Sequence, residues 1–256
     1  MSQLSAIRTD VQANLPTGYH STVLTSAKVD EIINKWQNRI CRTHNHEFMK
    51  QELTRSTVDE QQTYAIPTAS DANWSELNSN TVFRFKEELD CWLINANNYI
   101  VPLMKSYKKH IQDDPEFKDS SGLGTPTRWC IDQQYLWLFE KPDHGSNSDT
   151  AWTVHFVYYG YLADLSGDTA TNWLTDNHPE ILEWGATALC FEMGQDYDQA
   201  AYWEGKATAL VAELITADNE QKTSAVEDGI RPDDGQSLGN HTYGQTNRID
   251  LKAFYG

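Results

Sequence analysis

No two cysteines of this chain stand close together. Cys41, Cys91, Cys130 and Cys190 are scattered singly, which argues against a disulfide framework or a paired-cysteine metal knuckle and predicts reduced core thiols. Long apolar runs are also missing. None approaches the roughly 20 residues of a membrane span, so no membrane partner is expected. The opening MSQLSAIRTDVQANL lacks the basic start and apolar block of a signal peptide, and synthesis in the cytoplasm is the expectation. Basic residues are scarce: 20 Lys and Arg face 37 Asp and Glu, for a net charge of -17. A field of that sign repels a nucleic-acid backbone. The motifs of common catalytic sites are absent as well. There is no Walker-type phosphate loop, no G-x-G-x-x-G after a strand, no G-x-S-x-G and no H-E-x-x-H. Gly122-Leu123-Gly124 runs into Thr125-Pro126, which does not open a phosphate-binding helix. The expectation is therefore no enzyme, no cofactor and no metal.

What is present can build a core. Hydrophobic residues make up 39% and aromatics 11% of 256 residues, enough for one large domain or two small ones. The mean hydropathy of -0.63 is polar, which predicts that part of the chain stays extended or solvated. The acidity has two readings: solubility, or a surface that DNA passes without sticking.

The residues around which the rest is organised run from Asn172 to Glu220 and read as two helices joined by a tight corner. Ile181, Leu182, Gly185, Ala188, Leu189 and Met193 recur at helical spacing in the first. Ala200, Trp203, Ala207, Leu210 and Leu214 do so in the second. Pro179 suits a first turn, Asp176 or Asn177 a cap, Gly194 a stop and Asp196 the next cap. Gly and Ala on the packing faces predict a close approach of these two helices. Near the N-terminus, Leu4 to Leu15 is a short helix candidate. Ser26 opens a firm amphipathic helix with the stripe Val29, Ile32, Ile33, Trp36 and Ile40.

After Phe48 the period shortens. FMKQELTRSTV, QQTYAIP and VFRFKEELDCWLIN read as strands, with a loop from Ser70 to Asn80. VPLMKSYKKHIQDDP reads as a helix with Leu103, Met104, Tyr107 and Ile111 on one side. Lys105, Lys108 and Lys109 lie outside, as a solvated face or a contact to an acidic partner. The strongest strands are TRWCIDQQ, YLWLFEKPD and AWTVHFVYYGYLADL. In YLWLF both faces are apolar, which predicts a central strand. In TVHFVYYGY, Val154, Phe156 and Tyr158 face one way, and His155, Val157 and Tyr159 the other. From about Ala225 the pattern stops until Ile249, Leu251, Phe254 and Tyr255. This reads either as an arm that orders on a partner through those four residues or as a simple tail.

Candidate chemistry is sparse. Cys41, His44 and His46 form C-x2-H-x-H, donors that suit zinc, but no fourth ligand follows at a usual spacing. Glu87, Glu88 and Asp90 form an acidic group that reads as a solvated strand edge more readily than as an acid–base pair. Asp143-His144 has no nucleophile beside it. Tyr158, Tyr159 and Tyr161 lack the basic neighbours of a base-stacking platform and read as sheet core.

The layout resembles the head–tail adaptor (connector, head-completion) proteins of tailed bacteriophages. The pieces that carry the likeness are Y-A-I-P, G-T-P-T-R-W-C-I, Y-L-W-L-F-E-K-P-D and W-T-V-H-F-V-Y-Y-G-Y-L-A-D-L-S. They continue with T-N-W-L-T-D-N-H-P-E-I-L-E-W-G-A and the helix Ala200 to Leu214. The likeness spans about residues 26 to 224 and leaves out the first 25 residues and the arm. Element order and resemblance together imply an α+β chain. Residues 1–46 would supply the N-terminal helices of a bundle, 47–165 an inserted β-rich lobe, 166–224 the bundle's C-terminal helical hairpin and 225–256 an extended arm. The bundle would pack through Val29, Ile33, Trp36, Ile40, Ile181, Leu189, Trp203, Ala207, Leu210 and Leu214. The resemblance further implies a virion protein at the head–tail junction, made in the host cytoplasm. It would assemble as a homo-oligomeric ring of about twelve copies. Portal and tail proteins would be its partners, and DNA would pass through without specific binding. The competing expectations are a tail-side tubular or receptor-contact protein and, further off, an enzyme with an unfamiliar site.

Overall fold

The computed structural model describes residues 3–17, 24–66, 74–76, 84–95, 97–106, 123–143 and 152–228. Two compact units divide the chain, Met1–Asp218 and Asn219–Gly256. In the second, the described residues are helical.

The chain is of mixed α and β type. Helix α1 spans Leu4–Ala13 and buries Leu4, Ile7 and Val11, one residue per turn. Helix α2 spans Ser26–Thr43. Thr25, one residue before the start read from sequence, caps it by accepting from the Lys28 N–H at 3.3 Å. The expected stripe of α2 is buried throughout, and Gln37 is buried with it. A 3-10 turn, Glu47–Met49, leads into the strands.

Eleven strands lie among the described residues: β1 Lys50–Ser56, β2 Thr63–Ala65, β3 Ser75–Glu76, β4 Arg84–Asn95, β5 Ile100–Pro102, β6 Met104–Lys105, β7 Leu123–Gly124, β8 Arg128–Asp132, β9 Tyr135–Phe139, β10 Lys141–Pro142 and β11 Trp152–Tyr161. One sheet has the order β3-β1-β11-β4-β5, a second β2-β9-β8-β6, and β7 and β10 form a parallel pair. Edge strands are only two or three residues long, which limits the unpaired backbone offered to other chains.

Two sequence expectations are corrected here. Residues 100–105 form β5 and β6 instead of a helix: Ile100 and Pro102 pair with β4 and Met104 with β8, so sheet pairing overrides the local helical spacing. Tyr107, Lys108, Lys109 and Ile111 lie outside the described residues. Within the piece read as a loop, Ser75–Glu76 pairs with β1, and Trp74 is buried beside it, donating its indole N–H to the Ala65 carbonyl at 2.8 Å. The expectation for β9 holds, since it sits between β2 and β8.

β11 has a different core on each face. Val154, Phe156 and Tyr158 belong to the sheet core with Leu53, Tyr64, Trp129, Leu136 and Leu138. Tyr159 belongs to the helical core. Beyond β11 the chain forms α3 (Trp173–Asn177), α4 (Pro179–Met193) and α5 (Tyr197–Asp228). The short α3 was not read from sequence. Asn172 opens it with a reciprocal capping box to Thr175. At the corner before α5, Gly194 keeps an ordinary φ of -81°. Gln195 takes the left-handed turn at φ 63°. Asp196 caps α5 as expected, accepting from the Gln199 N–H at 3.2 Å. Helix α5 continues to Asp228, past the boundary read at Ala225.

Candidate functional site

The helices meet in one buried cluster. Val29, Ile33, Trp36, Ile40, Ile181, Ala207 and Leu214 are buried in it, and Leu189, Trp203 and Leu210 pack half-buried against it. Met193, on the stripe read for α4, points outward and is 46% exposed. The close approach predicted between α4 and α5 falls elsewhere. Gly185 of α4 faces Trp36 of α2, and a Cβ at this position would stand 1.9 Å from the indole Cε2. The small residue therefore admits the Trp36 ring, and α4 packs chiefly on α1 and α2. Helix α5 is joined to the others partly through charge. Arg39 pairs with Glu204 at 2.7 Å, and the Lys206 ammonium lies 4.2 Å from the Trp184 ring centre. A cleft of about 300 Å3 runs past Trp36, Leu189, Tyr197 and Ala200.

A seam of amides binds α2 to the segment between β11 and α3. Asn34 donates to the Leu165 carbonyl at 3.0 Å and accepts from the Leu165 N–H at 2.7 Å. Gln37 donates to the Ala163 carbonyl at 3.0 Å and accepts from the Asn172 side chain at 2.6 Å. A buried amide satisfied on both sides fixes register in a way that an apolar side chain does not. No periodicity marks these positions, so sequence reading passed over them.

The second constellation forms where α2 ends. β4 carries two bulges against β11, between Val157 and Tyr158 and between Tyr159 and Gly160. These leave Leu89 and Lys86 as the extra residues on β4. Lys86 uses its displaced position to cap α2. Its ammonium donates to the carbonyls of Cys41 at 2.5 Å and His44 at 2.8 Å. Burial is the main reason that the Lys86 pKa is lowered.

Beyond that cap the chain is extended, with φ -147° and ψ 158° at His44 and φ -73° and ψ 148° at His46. In extended chain, residues two apart face the same side. The His44 and His46 rings accordingly meet edge to face, 4.9 Å between centres. The stack continues through Phe48 at 4.9 Å and on to Trp173 at 4.3 Å. Asp218 of α5 reaches the same place from 172 residues away, its Oδ2 2.6 Å from His46 Nδ1. His44, His46 and Asp218 each offer a ligand atom, all within 4.8 Å of one another. Cys41, the third member of the sequence motif, is not in that group. Its thiol bonds to the Leu162 backbone, and burial raises its pKa.

The acidic residues of β4 are engaged in polar contacts. Glu87 accepts from Asn45 at 2.6 Å, Glu88 pairs with Lys105 at 3.1 Å, and Asp90 accepts from the Cys91 N–H at 2.8 Å. Burial pushes the thiols of Cys130 and Cys190 up to about 12, so neither is a nucleophile at neutral pH. Tyr99, Ile100 and Met104 on and beside β5 and β6 are exposed, as are Tyr197 and Tyr202 on α5. Asp143 was read together with His144, which lies outside the described residues, as do Ile249, Leu251, Phe254 and Tyr255.

The family model described as SU10 adaptor protein matches residues 2–230. The chain belongs to that family. The match agrees with the resemblance to phage head–tail adaptors and reaches further: α1 lies inside it, although the motif likeness began only at residue 26. For an SU10 adaptor the amide seam, the Gly185–Trp36 contact and the histidine pair all fall within the matched residues. No individual curated protein matches the chain. Among the described residues, no helix is long and apolar enough to cross a membrane.

Proposed function

We propose that this adaptor is a stoichiometric virion part, joining portal to tail as a ring of about twelve copies and continuing the DNA channel between them. The single observation that carries the reading is the family match over nearly the whole chain. In this reading the helices of residues 1–46 and 166–224 form a bundle that packs copy against copy. Residues 47–165 project as a β-rich lobe. The arm, 225–256, docks on the portal or a neighbouring copy through Ile249, Leu251, Phe254 and Tyr255. Supporting features are the exposed apolar side chains on two separate parts of the first unit, Tyr99, Ile100 and Met104 on one and Tyr197 and Tyr202 on the other. A protein that must grip a neighbour on either side needs such surfaces. The net charge of -17 suits a conduit, because an acidic wall repels exiting DNA.

The test mixes the purified full chain with assembled portal and measures mass by light scattering. A ring-sized addition to the portal is expected. A chain that stays monomeric and leaves the portal mass unchanged sinks the reading. Truncation before Ala225 should weaken portal binding if the arm docks there; undiminished binding removes the arm's role while leaving the ring intact.

A further inference from the structure

His44, His46 and Asp218 are brought together from α2's end and from α5, and the adaptor role uses none of their chemistry. Two imidazoles and a carboxylate are the donor set of a borderline divalent ion of the zinc type. His46 is fully buried, and the Asp218 side chain is 9% exposed, so this is no loose surface cluster. From the geometry we infer that His44, His46 and Asp218 bind one zinc-type divalent cation, which clamps α5 to the turn that follows α2.

Three observations support the site. The histidines share one side of an extended segment, so both rings face Asp218 without a change of backbone. Donor atoms around one tetrahedral zinc stand about 3.3 Å apart, given bonds of about 2.0 Å. The three donors stand within 4.8 Å of one another, so a bound ion draws the widest pair together and opens the 2.6 Å His46–Asp218 contact. The surrounding field is negative: Glu47 and Glu87 act with Asp218 on the neighbouring Tyr159 hydroxyl, adding to the effect of burial in raising its pKa. Lys86 opposes this field, but its ammonium is spent on the carbonyls of Cys41 and His44. Three protein ligands leave a fourth position for water or for a neighbouring chain's side chain. Cys41 takes no part, so the site differs from the C-x2-H-x-H motif of the sequence.

The experiment uses the full chain stripped with a chelator and titrated with zinc chloride by calorimetry, with thermal unfolding followed in parallel. One zinc per chain and a raised Tm are expected. Asp218→Asn and His44→Ala should each weaken binding by at least about 100-fold, since loss of even an outer-shell partner costs 10–100-fold. Cobalt added to the unaltered chain should give the intense visible band of a tetrahedral site, a readout that stands even if a variant folds poorly. No zinc uptake, or uptake of equal affinity in His44→Ala with its circular dichroism intact, overturns the inference. In that case the His46–Asp218 contact is structural. The outcome is independent of ring assembly, because every readout is taken on the isolated chain.

Discussion

Around α2 the buried side chains are mostly aliphatic and small, Val29, Ile32, Ile33, Ile181, Leu182, Ala186 and Ala207, with the Trp36 ring laid over Gly185. Behind β11 aromatics take a larger share, with Tyr64, Trp74, Trp129, Trp152, Phe156 and Tyr158 set among leucines. Phe156 has Tyr158, Trp74, Trp129 and Phe85 within 5.6 to 6.2 Å of its ring centre. The contrast follows from backbone spacing. Helices pack at about 8–10 Å and must find room between backbones, whereas side chains on one sheet face stand far enough apart for rings to stack. The two cores should therefore fail differently, the helical one when volume is added and the sheet one when volume is removed.

The largest effect expected is in the sheet. Phe156→Ala leaves a hole at the centre of the aromatic stack and should cost about 3–5 kcal/mol, measured by denaturant unfolding. Hydrogen exchange on the same variant sharpens the contrast. If protection is lost in β8 and β9 and retained in α2 and α4, the cores are energetically separate. Equal loss everywhere would mean that β11 couples them into one cooperative unit.

Gly185→Ala is the complementary probe. Overpacking costs about 1–3 kcal/mol, and the gain in helix propensity returns about 1 kcal/mol. A net loss of up to about 2 kcal/mol is expected because Trp36 is buried and has to shift. A more stable protein would break the comparison, since it would show the helical core yielding to added volume. Asn172→Ala tests the amide seam that binds α2 to the segment before α3. It removes the cap of α3 and the bond to Gln37 together, for a loss of about 1 kcal/mol. A change within a few tenths of a kcal/mol would show that the seam sets register without adding stability.

Much of this was legible because it is local. The stripe of α2 and the two faces of β11 follow from residue spacing, as does the central place of β9. The family likeness lay in the order of short motifs, none of them specific alone. What escaped reading was of two kinds. Residues 101–105 stood at the start of a helical spacing read from Leu103, Met104, Tyr107 and Ile111 but answered to pairing with β4 and β8. The amides Asn34, Gln37 and Asn172 look like ordinary polar residues until the backbone that they serve is beside them. The histidine motif was visible, but its partner was sought nearby, as Cys41 or another close ligand, and Asp218 stands in a helix far along the chain.

The sequence alone determined the stripe of α2 and the two faces of β11, because a side chain's direction along a helix or strand depends on neighbours three, four or two residues away. Only the tertiary structure decided that Gly185 receives Trp36, that a bulge sends Lys86 to cap α2, and that Asp218 meets His46. Such meetings depend on how whole elements are laid against one another, which no short window of residues encodes.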